Sequence, residues 1–92
     1  MPTVKIPPVL RAHVGGDATV EAGGETVGAV LGALVAQHEG LQSQLFDEGG
    51  QLNRFVNVYL NDEDVRLLDG LDTVASESDT VVILPAMAGG AH

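Results

Sequence analysis

The chain contains no cysteine, so neither a disulfide framework nor a thiolate metal site is available. Any sulfur chemistry has to use sulfur from outside the chain, and the absence of cysteine fits a reducing cytoplasm. Aromatic residues are limited to Phe46, Phe55 and Tyr59, which leaves few stacking platforms or anchors. Four basic residues stand against thirteen acidic ones, for a formal net charge of -9. That balance argues against nucleic acid, because phosphate binding needs lysine and arginine. No apolar run approaches the roughly 18 residues of a membrane span. Nor does Met1–Pro8 carry a charged segment followed by a long apolar stretch, so neither a membrane span nor a signal peptide is expected.

What the charge favours is a partner with a basic docking surface, attracted chiefly through faster association. Solubility alone explains the same balance. Ninety-two residues suffice for one domain with a single small core.

Thr3–Ile6 has the short, β-branched character of a first strand, which Pro7-Pro8 ends. Val9–Val14 follows and leads to Gly15-Gly16-Asp17, a strong turn signal. Ala18–Glu21 reads as a second strand, antiparallel to the first. Helical spacing is clearest next. Thr26 suits an N-cap, and Val27, Val30, Leu31, Leu34 and Val35 make one apolar stripe. These predict a helix over Val27–Glu39, with Gly40 placed to cap its end.

Leu41–Leu52 looks irregular, anchored by Leu41, Leu45 and Phe46 around a polar Asp47–Gly50 loop. Phe55–Leu60 alternates cleanly, with Val56, Val58 and Leu60 on the face suited to the core. Phe55, Asn57 and Tyr59 fall on the other face, either sheltered by loops or open to a partner. Asn61–Asp64 reads as a solvated turn and Val65–Leu67 as a short returning strand. Leu71 and Val74 should anchor the following loop. Thr80–Leu84 is nearly unbroken in its apolar character, which suits a central strand in parallel pairing and buried on both faces. The expected architecture is α+β, one main helix on one face of a mixed sheet.

Catalytic chemistry is nearly missing. There is no glycine-rich nucleotide loop after a strand, and His13, His38 and His92 show no ligand spacing. Paired acids at Asp47-Glu48 and the Asp62–Asp64 run match neither an acid–base pair nor a calcium loop. No metal ligand, bound cofactor or catalytic residue is therefore assigned. The pattern is that of a protein acted upon by others, not an enzyme.

The end of the chain has the remaining chemical interest. After Pro85 come only small residues and one methionine: Ala86, Met87, Ala88, Gly89, Gly90, Ala91 and His92. A frayed terminus is one reading of two adjacent glycines. The other is a backbone without side chains that threads a narrow channel and presents an unhindered carboxylate. Such a carboxylate is unreactive until its oxygen becomes a leaving group, for instance as an acyl-adenylate. This chain has no nucleotide site, so a second protein would have to supply ATP chemistry.

Taken together, the β-β-α-β-β-β order, Ile6-Pro7 with Leu10-Arg11, Thr26–Val30, the Arg54–Arg66 stretch and the ending Val82–Gly90 resemble the ubiquitin-like sulfur carriers of the MoaD/ThiS family, within it the CysO type. The resemblance implies a ubiquitin-like β-grasp domain over residues 1–86 and a diglycine tail over residues 87–92. It implies that an E1-like enzyme adenylates Gly90 with ATP, and that sulfur replaces the adenylate to leave a C-terminal thiocarboxylate. Gly89 gives reach, Met87 and Ala88 contact the channel, and a sulfur-accepting biosynthetic enzyme follows. For CysO-like members that acceptor handles an activated serine on the way to cysteine.

Ala91 and His92 lie beyond the diglycine, so the Gly90 carboxylate is an amide as written. A JAMM-type metalloprotease is the expected partner for their removal; the other reading of the pair is an appended remnant. Alternatives within the family are a MoaD-like small subunit for molybdopterin synthesis and a carrier for a sulfur-containing secondary metabolite. A ubiquitin-like modifier joined to lysines through Gly90, or a plain interaction module, stands outside that class.

Overall fold

The computed structural model describes residues 1–85. In chain order the regular elements are β1 (Thr3–Lys5), β2 (Thr19–Glu21), α1 (Val27–Gln37), α2 (Gln42–Leu45), β3 (Val56–Leu60), β4 (Glu63–Asp64) and β5 (Thr80–Pro85). The five strands form one sheet in the order β2-β1-β5-β3-β4. Strand β5 is central, parallel to β1 and antiparallel to β3, while β1–β2 and β3–β4 are antiparallel. The sheet is therefore mixed, as its apolar last strand suggested.

α1 supplies the largest share of the core. Val27, Val30, Leu31, Leu34 and Val35 are all buried, each such side chain contributing about 1.5–3 kcal/mol relative to exposure. Thr26 Oγ1 accepts a hydrogen bond from the Ala29 N–H at 3.1 Å and so closes the start of the helix. Facing the stripe are Val4, Ile6, Val56, Val58, Val81 and Ile83 from the sheet side. The α1 surface comes close to Leu71: a Cβ added to Gly28 would lie 3.0 Å from the Leu71 carbonyl oxygen.

Several expectations are corrected. The helix stops at Gln37, with His38 as C-cap, rather than running to Glu39. Gly40 is not the cap but part of a 3-10 turn, Glu39–Leu41. The chain bends there because Leu41 and Leu45 must both reach the core, where each is fully buried. Gly40 matters for close approach instead, since a Cβ on it would lie 2.7 Å from His13 Nδ1. Pro8–Val14, to which the sequence assigns no element, forms a 3-10 helix that begins on a proline, ends at Gly15 in the left-handed region (φ 72°), and buries Leu10 and Val14.

The fourth strand is Glu63–Asp64; Val65–Leu67, expected to be that strand, is a 3-10 turn. Asp64 Oδ1 accepts from the Arg66 N–H at 2.8 Å, which starts the turn and cuts the strand short. Val74 is not an anchor but 72% exposed, and Thr73 and Ala75 are the buried residues there. β5 is not buried on both faces. Val81 and Ile83 are buried, whereas Thr80 and Val82 are half-buried and Leu84 is exposed. Helices cover only one side of the sheet.

A small polar staple fixes the start of β5. Asn61 adopts φ 57°, accessible to asparagine with little strain. Its Oδ1 accepts from the Thr80 N–H at 3.0 Å, and its Nδ2 donates to Asp79 Oδ1 at 3.2 Å. Asp79 Oδ2 accepts from both the N–H and the Oγ of Ser76, at 2.8 and 3.0 Å. The Ser76 backbone N–H, followed by the Asn61 and Ser76 side chains, holds the Asp79 carboxyl below its ordinary range.

Two predictions arise. Nothing lies within 4 Å of a Cβ built on Gly32, so Gly32→Ala should stabilise; the expected gain is about 0.5–1 kcal/mol by urea unfolding. Gly28→Ala should lack that gain, because Leu71 has to move. Asp79 has a lowered folded-state pKa, so its contribution is present above the unfolded-state value and is lost as pH falls through the folded-state one. Asp79→Asn should therefore flatten the acid limb of stability against pH; an unchanged limb would remove the staple from the account.

Candidate functional site

The expected working residues, Met87, Ala88, Gly89 and Gly90, and the expected removable pair, Ala91 and His92, lie outside the described residues. What the structure does define is the base from which they extend. Pro85 ends β5 opposite Val56, the first residue of β3. Thr80–Val82 face β1, and the last described residues, Ile83–Pro85, are held through their pairing with β3.

The helix-free face of the sheet presents an apolar strip toward this end. Across the β3–β5 pair, Tyr59 stands opposite Val82 and Asn57 opposite Leu84. Tyr59 and Val82 are half-buried, and Leu84 is 41% exposed. Phe55 directly precedes β3 and is 63% exposed. The fold thus brings Phe55 beside the end of β5, open to solvent, while Tyr59 lies on the same face level with Val82, three residues before that end. Exposed large apolar side chains next to a strand end are the kind of surface that marks interaction sites.

Sequence reasoning missed two members of this margin. Leu84 was assigned to a buried strand, although alternation with buried Val81 and Ile83 places it outward. Val9, in the 3-10 helix, is 67% exposed, and no period in its neighbourhood signalled that.

Charge is distributed unevenly. The chain's only basic side chains are Lys5, Arg11, Arg54 and Arg66. Lys5 ends β1 opposite Val82, and Arg11 Nε donates to the Ile6 carbonyl at 3.1 Å. The Arg54 guanidinium lies 5.5 Å from the centre of the Phe55 ring, within cation–π range. Arg66 donates to Asn57 Oδ1 at 2.7 Å and to the Val56 carbonyl at 2.8 Å. Arg54 and Arg66 therefore sit beside the end where β5 runs out, while Lys5 is level with Val82 in mid-strand. Glu21, Glu63 and Asp79 mark the other end, through pairing of Glu21 with Thr3, Glu63 with Leu60 and the Asp79 carbonyl with the Thr3 N–H.

Arg66 also fixes this margin mechanically. One guanidinium clasps the first two residues of β3, and a longer contact reaches the Asn53 carbonyl at 3.4 Å. Asn53 Oδ1 in turn accepts from the Phe55 N–H at 2.9 Å. Among the described residues no group of three or more His, Cys, Asp or Glu side chains is gathered to hold a metal ion. None of the described helices is long and apolar enough to cross a membrane.

We predict that Arg66→Ala and Arg66→Lys both loosen residues 53–57, since lysine cannot reproduce the planar fork. The expected cost is about 1 kcal/mol, with faster amide exchange of Phe55 and Val56. Exchange unchanged in both variants would contradict the clasp.

Comparison with known proteins matches this architecture to a family. The model of the ThiS family matches residues 4–90. The chain is 51% identical over 90 residues to the sulfur carrier protein CysO of Mycobacterium tuberculosis, covering 96% of this chain and 97% of the relative. It is 40% identical over 65 residues to small archaeal modifier protein 3 of Haloferax volcanii, covering 71% and 70% of the two chains. Among solved structures, a chain of the Amycolatopsis orientalis BexX/CysO complex superposes with a TM-score of 0.90 at 47% identity, over 98% of this chain and all of that one. With its mixed sheet grasping one main helix and its match from Val4 to Gly90, the chain belongs to the ThiS family.

Proposed function

We propose that the protein is a sulfur carrier of the CysO type, with Gly90 as the residue that bears sulfur. Likeness to a sulfur carrier over nearly the whole chain is the observation that carries this reading. The body supports it physically: a rigid central strand ends five residues before Gly90, beside an exposed apolar margin that a partner can grip. Binding energy gained there, remote from the reacting carbonyl, positions the tail in another protein's active site.

The sequence of steps begins with trimming. A JAMM-type metalloprotease hydrolyses the Gly90–Ala91 amide, releasing Ala91-His92 and a free carboxylate. An E1-like enzyme then joins this carboxylate to the AMP portion of ATP, with pyrophosphate as leaving group. Sulfide, or a persulfide sulfur followed by reductive cleavage of its S–S bond by a thiol, displaces AMP at the carbonyl carbon. On an acceptor enzyme the thiocarboxylate sulfur forms a C–S bond to the substrate carbon as that carbon loses its leaving group, and water then hydrolyses the acyl link to return the Gly90 carboxylate; an activated serine on the way to cysteine is the substrate we favour. All of this takes place in the cytoplasm. The carrier contributes no catalytic group and binds no cofactor; ATP belongs to the activating enzyme.

Docking on a partner is supported by the Amycolatopsis relative, described in complex with BexX. Phe55 and Tyr59, with Leu84, are the face proposed for it, with Arg54 and Arg66 as its charged contacts. A MoaD-like subunit or a carrier for a sulfur-containing metabolite would use the same end of the molecule. The likeness to an archaeal modifier protein favours, as a second reading, isopeptide attachment of Gly90 to lysines.

Incubating the full-length chain and a chain ending at Gly90 with an activating enzyme, ATP and sulfide tests the proposal. Only the shorter chain should yield a thiocarboxylate by mass spectrometry. Thiocarboxylate on untrimmed protein would contradict the processing step, and none on either chain would contradict the carrier reading.

A further inference from the structure

Between the 3-10 helix Pro8–Val14, α2 and the β3–β5 pair lies a cavity of about 230 Å³. Leu10, Val56 and Ile83 form its buried wall, and exposed Val9 and Phe55 form its rim. Gln44 and Asn53 are its polar members, and none of the described lining residues is charged. An ionised group would lose its hydration there without a partner, so the fitting occupant is apolar. Sites for small organic ligands usually run to about 300–1,000 Å³; this one suits a single side chain.

Charge flanks the seat instead of lining it. The Arg54 guanidinium lies 5.5 Å from the centre of the Phe55 ring, and Arg66 donates to the Val56 carbonyl at 2.8 Å. Two of the chain's four cations thus stand against two of the lining residues, on a chain with thirteen acidic residues. That arrangement disfavours a second copy. In a twofold contact each copy would bring the same pair of cations to the seat, along with a net charge of -9. Asn53 adds hydrogen bonding: its Oδ1 already accepts from the Phe55 N–H at 2.9 Å, so what it offers a partner's carbonyl is the Nδ2 donor.

We propose that this cavity receives one aliphatic side chain of a partner protein, of leucine or methionine size, with a carboxylate beside it that meets Arg54. The seat lies on the helix side of the sheet, since Val56 and Ile83 are buried in the core while Leu84 faces away. Phe55 borders both sides. A partner that grips Phe55 and Leu84 therefore reaches round the margin to anchor in the seat, and such a buried anchor contributes more than the flat face around it. That this partner is the activating enzyme rests on the carrier reading.

Two capped peptides, acetyl-Glu-Leu-Glu-amide and acetyl-Lys-Leu-Lys-amide, probe the seat without any enzyme. Titrated into the isotopically labelled full-length chain, the acidic peptide should shift the methyl signals of Val9, Leu10 and Ile83. It should bind about threefold more tightly than the basic one, the scale of an exposed ion pair. Arg54→Glu should reverse that order, and Val9→Asp, at an exposed rim position, should abolish the shifts from the acidic peptide. Shifts scattered over the surface, or an equal response to both peptides, would overturn the proposal. Signals of the same residues that move with protein concentration alone would also overturn it, by giving the seat to a second copy. In ATP–pyrophosphate exchange on the chain ending at Gly90, Val9→Asp should raise the KM for the carrier about tenfold. Leu67→Ser, at an 84% exposed leucine outside the seat, should leave that KM unchanged. An equal rise in both variants, or none in Val9→Asp, would contradict the anchor. Absence of exchange with the unaltered chain would count against the carrier reading, which the peptide titration does not involve.

Discussion

The pairing of β5 on both sides is the constraint on which the rest of the molecule depends. Its parallel register with β1 sets Val4 beside Val81, and its antiparallel register with β3 sets Val58 beside Ile83. Together these residues make the floor on which α1 lies. The same registers place Val56, the first residue of β3, beside Pro85 at the end of β5, and Lys5, the last residue of β1, beside Val82. A slip of one residue in β5 would turn Val81 and Ile83 outward and Leu84 inward. Core and functional margin are thus fixed by one set of hydrogen bonds.

The function proposed here asks little else of the body. A carrier needs a rigid origin for its tail, a surface that partners can grip and no competing chemistry of its own. Strand β5 supplies the first, and Phe55, Tyr59 and Leu84 the second. Arg54 and Arg66, beside Phe55 and Val56, offer an approaching partner local positive charge on a strongly acidic chain. The clasp of Arg66 on β3 keeps that margin in one arrangement.

Much of the fold was legible because its signals are periodic. The stripe from Val27 to Val35, the Thr26 cap and the alternation of Val56, Val58 and Leu60 each express a regular geometry. The 3-10 segments were not legible, since their tighter turn has no comparable apolar period and Pro8–Val14 is defined by where Leu10 and Val14 fall. β4 was displaced because two residues are too few to alternate and Asp64 ends the strand through its own side chain. Val74 read as an anchor by composition, yet buried Thr73 and Ala75 take that place. The continuous apolar character of β5 concealed its one-sided burial. At the site, Phe55 was legible as an outward aromatic; Leu84, Val9 and the Arg66 clasp depend on contacts between distant segments, which no local pattern records. The diglycine stood out because no other stretch of the chain offers chemistry.

The most direct test of the account is the intact mass of the protein purified from its native cells. A chain ending at Gly90, with a fraction carrying sulfur in place of one carboxylate oxygen, is the predicted result. A population found entirely as lysine adducts, or entirely as the full-length chain with an unmodified Ala91-His92 end, would contradict it.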